Sequence, residues 1–410
     1  MRALFIHQNM PGQFRYLANA VAHMPASETA FITQRKNCEL PGVQRVSYTR
    51  TQSGLKKPSS SAVPLEHQIA NGTAVVEACQ ALEARGFTPD IIIGHPGWGE
   101  LLFVKDLYPN TPLISYCEFY FDPNAPFFEG DPPAPLTLPG RMRRHAHSAH
   151  LLLSLEAADR GWSPTPWQKS LHPAVFHDKI EVIFDGVDTD RVRPDPLATF
   201  ELSDGRALSR DDEIITYAAR SLEPTRGFPT FARAIPHILA RRPKAQILIA
   251  GDAQPHYDPP PSAGSTWREA MSQAVTFDPQ RVHFLGRLPQ ERFVRMLQVS
   301  MAHVYLTTPA VLSWSLVEAM SAGCLVVASD TPPVRDILVP GDTGLVTSFH
   351  DPEQIAADVD AALGHPEGDE IRHSARRLVE DSLSLRHCLP KQIGLIHSVI
   401  NKSPRQALGA

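Results

Sequence analysis

Short apolar runs alternate with longer amphipathic stretches along the whole chain. In the first half, residues 3–6 predict a strand, and residues 13–23 predict a helix after a Pro11-Gly12 turn. The apolar runs at 91–93, 113–116 and 150–155 predict further buried strands, with a long helix over 65–85 between two of them. The second half repeats the pattern. Strands are expected at 214–217, 246–250, 281–285, 303–306 and 325–328, with helices at 230–241, 290–299, 314–322 and 352–363. Continuous apolar strands interleaved with helices imply parallel sheets covered on both faces. The fold class is therefore α/β, with two similar Rossmann-like domains in tandem. Periodicity breaks over 185–196, where Pro194 and Pro196 appear. The expected division is 1–190, 191–385 and a last helix, 386–410, packing back on the first domain. Three polar or proline-rich stretches read as long loops, 51–64, 122–140 and 254–265. Loops of that length usually carry function or are disordered.

Composition narrows the function classes. At 410 residues the chain has room for two cores, and with 42% apolar and 20% charged residues it reads as globular. A formal charge of −5 gives no broad basic field, which argues against nucleic acid as a partner. Arg141, Arg143 and Arg144 form a local basic cluster, better read as a solvated helix face. Five scattered cysteines with no CxxC pair predict free thiols in a reducing compartment. The N-terminus lacks the apolar core of a signal peptide, and no apolar run reaches the roughly 20 residues that cross a bilayer. The expected location is cytoplasmic, with peripheral contact at the inner membrane face left open.

Candidate chemistry concentrates in the second half. Tyr217-Ala218-Ala219-Arg220 ends a predicted strand, and Arg226-Gly227 precedes a helix. Two guanidinium groups there can point into one crevice. Their forked donors match phosphate oxygens and stay charged, which suits a leaving group that gains negative charge. Further on, Ser313, Trp314 and Ser315 open a helix that carries Glu318. A helix start favours an anion, and a carboxylate beside it can accept hydrogen bonds from ribose hydroxyls or merely complement the macrodipole.

Together these pieces resemble the family 4 glycosyltransferases, which have the two-domain GT-B fold. The likeness is carried by Arg2-Ala3-Leu4-Phe5-Ile6 with Pro11-Gly12-Gln13-Phe14, by Asp90-Ile91-Ile92-Ile93-Gly94-His95, and by Val182-Ile183-Phe184-Asp185-Gly186-Val187-Asp188. Ala219-Arg220-Ser221-Leu222 through Arg226-Gly227, His283-Phe284-Leu285-Gly286-Arg287-Leu288 and the run from Glu318 to Ser329 complete it in the family's order and spacing. The resemblance implies that the two domains face each other across a cleft. Arg220 and Arg226 would hold the donor diphosphate, and Glu118 joins them as a candidate catalytic residue. Glu318 would bind the ribose, with Ser313, Trp314 and Ser315 beside it. Backbone groups near Arg287 and Leu288 would meet the base. Gly12 would let its loop approach the phosphates and donor sugar without a side chain in the way. Transfer would be retaining, with no metal or other cofactor. The implied partners are a nucleotide-sugar donor and a glycan, lipid-linked or protein acceptor, the latter entering past Lys56–Lys57 and Phe127–Phe128.

The sequence departs from the family pattern at several places. The glutamate expected eight residues before Glu318 is Ala310, the usual lysine is Arg226, and the junction's usual asparagine is Asp185. A histidine common after the fourth strand is Glu118, which could bind an acceptor or sugar hydroxyl, act as a base, or cap the strand end. His95 falls on a family position and either serves there or supports the fold. Asp188-Thr189-Asp190 reads as a turn and not a metal-binding DxD. His145, His147 and His150 do not share a helical face and are expected in an exposed segment entering a strand. Gly251-Asp252 lacks the remaining glycines of a dinucleotide fingerprint. Two rival functions remain: a nucleotide-sugar epimerase of the same fold, and a nucleotide-sugar-binding partner protein with weak catalysis, for which Ala310 is the argument.

Overall fold

The computed structural model describes residues 1–50, 63–122, 128–129 and 134–401. The strands, in chain order, begin with β1 (Arg2–Ile6), β2 (Glu28–Thr33), β3 (Val43–Ser47), β4 (Ile91–Gly94) and β5 (Leu113–Tyr116). They continue with β6 (Phe128–Glu129), β7 (Ala134–Pro135), β8 (Arg160–Ser163), β9 (Ile180–Val182), β10 (Thr199–Glu201) and β11 (Ala207–Ser209). The remainder are β12 (Ile214–Ser221), β13 (Gln246–Asp252), β14 (Val282–Gly286), β15 (Ala302–Tyr305), β16 (Leu325–Ser329) and β17 (Leu345–Thr347). The chain divides into two compact units that separate at Asp185/Gly186, where the sequence pattern suggested 190/191. Residues 388–401 group with the first unit. Gln392, in the last helix (Leu385–Asn401), donates to the carbonyls of Phe184 and Asp185 at 3.0 and 3.1 Å.

The first unit is a seven-stranded parallel sheet in the order β3-β2-β1-β4-β5-β8-β9. Strand β4 and residues 3–6 of β1 are buried apolar runs, as strands covered on both faces require. The second unit holds a six-stranded parallel sheet, β14-β13-β12-β15-β16-β17. Its core forms where Phe228, Phe231, Ile235 and Ile238 of helix Phe228–Arg241 pack on Ile215, Tyr217, Ile247 and Ile249 of the sheet.

One expected strand is a helix. Residues 150–155 lie within helix Ala149–Ala157. His150, Leu151, Ser154 and Leu155 are buried while Leu153 is 58% exposed, a spacing of three to four that belongs to a helix. The strand instead is β8, whose RGWS sequence offers one large apolar side chain. Trp162 makes it work: the ring is 1% exposed and its Nε1–H donates to the Ile183 carbonyl at 2.6 Å. The histidine cluster changes accordingly. His145 and His147 end helix Leu138–His147, and His150 is fully buried with a ring nitrogen 3.1 Å from the Gly97 carbonyl, so the segment is neither extended nor wholly exposed. Asp188 closes a turn by accepting the Arg191 N–H, and Asp190 pairs with Arg386.

Candidate functional site

In an open parallel sheet, ligand crevices form at the carboxyl ends of the strands where the strand order reverses. The second unit reverses between β12 and β15, because β13 and β14 extend one way and β16 and β17 the other. The candidate residues gather there. Arg220 lies at the end of β12 and is exposed; among the described residues its guanidinium has no hydrogen-bond or ion-pair partner. Arg226 ends the single turn Pro224–Arg226 and is only 7% exposed. Its Nη1 donates to Thr307 Oγ1 at 2.9 Å and to the Val311 carbonyl at 2.8 Å, so it bridges the reversal from the β12 side to the loop after β15. Tyr217, rising from β12, donates its hydroxyl to the Arg226 carbonyl at 2.6 Å. Burial opposes the charge of Arg226, but the hydroxyls of Tyr305, Tyr257 and Tyr217 and the Glu223 carboxylate outweigh it and hold the pKa above the usual arginine value.

Glycine is required behind this arginine. Gly227 has φ +69°, and a Cβ there would lie 2.5 Å from Leu306 Cβ. The segment before it is fixed from the interior. Glu223 is completely buried and its Oε2 accepts the backbone N–H groups of His256, Tyr257 and Asp258 at 3.0, 2.9 and 3.0 Å. Asp258 in turn accepts the Thr225 N–H and hydroxyl at 2.6 and 3.0 Å.

Glu318 lies midway along helix Trp314–Ala322, half-buried. Burial pushes its carboxyl above the usual range, opposed by Gln290, whose Nε2 donates to Glu318 Oε1 at 2.8 Å. Gln290 opens the helix that follows Arg287 and Leu288, so this bond joins the loop after β14 to the Glu318 helix. Arg287 is exposed just after Gly286. Ser313 caps the helix through the Ser315 N–H at 3.4 Å, and Tyr305 Oη accepts the Ser313 N–H at 2.9 Å. Trp314 is 42% exposed. Ala310 contributes its backbone N–H to the Thr308 carbonyl at 2.6 Å.

The first unit reverses between β1 and β4, and a second cluster sits at that point. His7 Nδ1 accepts the Asn9 N–H (2.8 Å), so its ring proton lies on Nε2, which donates to Gln13 Oε1 at 2.8 Å. Gln13 Nε2 then donates to Glu118 Oε1. His95 is arranged likewise: Nδ1 accepts the Gly97 N–H at 3.0 Å and Nε2–H meets Glu118 Oε2 at 3.2 Å. Glu118 therefore ties together the loops after β1, β4 and β5. Burial, and then the neighbouring His95, hold His7 well below the usual histidine range, which keeps it neutral. Gly12 has φ +50°, and a Cβ there would meet His7 Nε2 at 2.6 Å. Glycine at this position thus also makes room for the imidazole. Trp98 stacks on His95 with ring centroids 5.1 Å apart. Beneath it Glu100, fully buried, accepts the Trp98 N–H at 3.0 Å and the Tyr48 hydroxyl at 3.1 Å. Burial lifts the Glu100 pKa to about 7.

Gln13, Gln290, Thr307, Glu223 and Tyr257 escaped the sequence reading. Neutral amides and hydroxyls carry no spacing signature, and Glu223 and Tyr257 gain meaning only when the 254–265 loop folds onto the 221–226 segment. Lys56, Lys57 and Phe127 lie outside the described residues; Phe128 falls in β6.

Two parallel α/β units with polar clusters at their strand-order reversals define the GT-B glycosyltransferase fold. The chain is similar to HepE of Anabaena solved with UDP and glucose (TM-score 0.68, 15% identity, 97% of this chain and 99% of that one). It is also similar to sucrose-phosphate synthase of Thermosynechococcus elongatus (TM-score 0.70, 16% identity, 97% and 98%). Residues 25–192 match the glycosyl transferase family 4 group and residues 200–378 match the glycosyl transferases group 1. The chain belongs to the family 4 glycosyltransferases. A phosphatidyl-myo-inositol mannosyltransferase of Mycolicibacterium smegmatis is 30% identical over 210 residues, 50% of this chain and 47% of the relative. A D-inositol 3-phosphate glycosyltransferase of Nocardia farcinica is 25% identical over 271 residues, 62% and 54% respectively. The chain thus spans about half the length of the curated relatives it matches.

Proposed function

We propose that the chain transfers a sugar, with retention and without a metal ion, from a nucleoside-diphosphate sugar to a hydroxyl acceptor. The observation that carries this reading is the arginine pair at the reversal of the second sheet. Arg226 is fixed by Thr307 and Val311, and Arg220 stands uncommitted close by in the chain. In this reading both guanidinium groups hold the diphosphate. As the anomeric bond breaks, the electron pair passes to the phosphate oxygen, and the fixed positive charges stabilise the anion without reorganising. Glu318 accepts the ribose hydroxyls, and the loop at Arg287 and Leu288 meets the base. In the first unit, Gly12 allows close approach of a ligand. Glu118, acceptor-only and already oriented by Gln13 and His95, receives a hydrogen bond from a sugar or acceptor hydroxyl. Of the acceptor classes, a phosphoinositide-type lipid or an inositol phosphate draws support from the names of the relatives.

The test follows nucleoside diphosphate release and product by NMR, with UDP- and GDP-sugars and inositol-containing acceptors, in EDTA. The reading expects an anomeric configuration equal to the donor's and a rate unchanged by EDTA. An inverted product, or activity that requires added Mg²⁺ or Mn²⁺, contradicts it. Ala310, with only a backbone group to offer, favours the alternative of a donor-binding chain with weak catalysis. Donor binding without release of diphosphate on any acceptor would establish that alternative.

A further inference from the structure

The loop at 254–265 does something a simple surface connection does not. Five hydrogen bonds fasten residues 256–258 to the segment that carries Arg226, three into the buried carboxylate of Glu223 and two from Thr225 to Asp258. Just beyond, the Trp267 Nε1–H holds the Pro259 carbonyl at 3.0 Å. A buried carboxylate spent on consecutive backbone N–H groups fixes main-chain direction firmly, since leaving it unpaired would be costly. What this anchoring presents is Tyr257. The residue is 57% exposed, so it is not core filling. The ring centroid lies 6.0 Å from the Arg220 guanidinium carbon and 5.8 Å from that of Arg226. Among the described residues, this ring is the partner of the Arg220 guanidinium, and the phenolic hydroxyl makes no hydrogen bond.

Arg226 Nη1 is already committed to Thr307 and Val311 and is not free for a ligand, and a phenolic O–H beside the pair adds a donor to those that remain. We propose that Tyr257 is a donor-positioning residue whose hydroxyl donates a hydrogen bond to the diphosphate held by Arg220 and Arg226. The ring, lying against both guanidinium groups, keeps them aligned for that ligand. This inference rests on the donor-site reading above and names a group that reading does not contain. No bond is made or broken by Tyr257.

The experiment titrates the full chain with UDP, GDP, their monophosphates and inorganic pyrophosphate, by calorimetry without metal. Wild type, Arg220→Ala, Tyr257→Phe and Tyr257→Ala are compared, each checked for an unchanged melting temperature. Tyr257→Phe should weaken binding of the preferred nucleoside diphosphate and of pyrophosphate about tenfold, the size of one hydrogen bond to a charged group. Its effect on the monophosphate should be under about threefold. Tyr257→Ala should weaken the diphosphate at least as much, and in turnover assays both should raise donor KM more than they lower kcat. Should Arg220→Ala weaken the diphosphate while Tyr257→Phe binds like wild type, the inference is overturned and the donor site stands. Should wild type bind no diphosphate, or Arg220→Ala bind it unchanged, the donor-site reading fails and the inference with it.

Discussion

Arg220 and Arg226 are six residues apart in the chain and in opposite physical situations. Arg226 is part of the architecture: its backbone carbonyl satisfies Tyr217 and its guanidinium satisfies Thr307 and Val311. Arg226→Ala leaves the Thr307 hydroxyl and the Val311 carbonyl without this donor, at about 1–3 kcal/mol for a buried group, so it should lower the melting temperature as well as activity. Arg220 has no such duties. Arg220→Ala should reduce kcat by roughly 10² while the melting temperature stays within about two degrees. Steady-state rates beside a thermal melt check both. Unchanged turnover in folded Arg220→Ala removes it from the mechanism. Glu100 gives a prediction of another kind. Its carboxyl has a pKa of about 7 in the fold against an ordinary value near 4.5, so the folded chain holds that proton where the unfolded chain has lost it. Stability from this group is present at low pH and is lost as pH rises from about 4.5 through 7. His150 and His172, depressed to about 4 by burial, push the other way below their ordinary 6.5. The difference between wild type and Glu100→Gln isolates the carboxyl. From pH 5 to pH 8 wild type should lose stability relative to Glu100→Gln by up to about 3 kcal/mol. Parallel pH curves for the two proteins would contradict the assignment.

At the scale of elements, unbroken apolar strands and their flanking helices were legible, and strands that mix polar with apolar residues, such as β2 and β8, were not. Ile91-Ile92-Ile93 and Leu113-Ile114 announce buried strands because parallel sheets demand apolar residues on both faces. β8 was hidden because a single tryptophan supplies its burial, and its neighbour at 149–157 took its place in the pattern. Short apolar runs do not separate strand from helix by periodicity. Part of the site was legible for a similar reason. Guanidinium groups and the Glu318 helix follow a recognisable order, whereas Gln13, Gln290 and Thr307 are recognised only once the loops meet. The turn at Gly227 is the element on which the arginine pair depends. Gly227→Ala forces a side chain into left-handed backbone and against Leu306. It should cost at least about 2 kcal/mol and move Arg226 off Thr307. A denaturant melt measures the loss; an unchanged midpoint would show that the turn is not under this constraint.

Across the whole molecule, each unit builds a parallel sheet, reverses its strand order, and places its polar side chains at the reversal. In the second unit those side chains are a fixed and an uncommitted arginine with a carboxylate-bearing helix. In the first they are a carboxylate oriented by a glutamine and a histidine beside a glycine turn. Neither cluster names a sugar, because hydroxyl recognition depends on side chains without sequence signatures. The central claim is that the second unit holds a nucleoside-diphosphate sugar through charge and not through a metal. Its most direct test is a thermal-shift screen of wild type and Arg220→Ala against UDP-, GDP-, ADP-, TDP- and CMP-sugars in EDTA. Selective stabilisation of wild type by one of the diphosphate sugars, reduced in Arg220→Ala, is the predicted result. No shift with any diphosphate sugar at millimolar concentration, or an equal shift in Arg220→Ala, would contradict it.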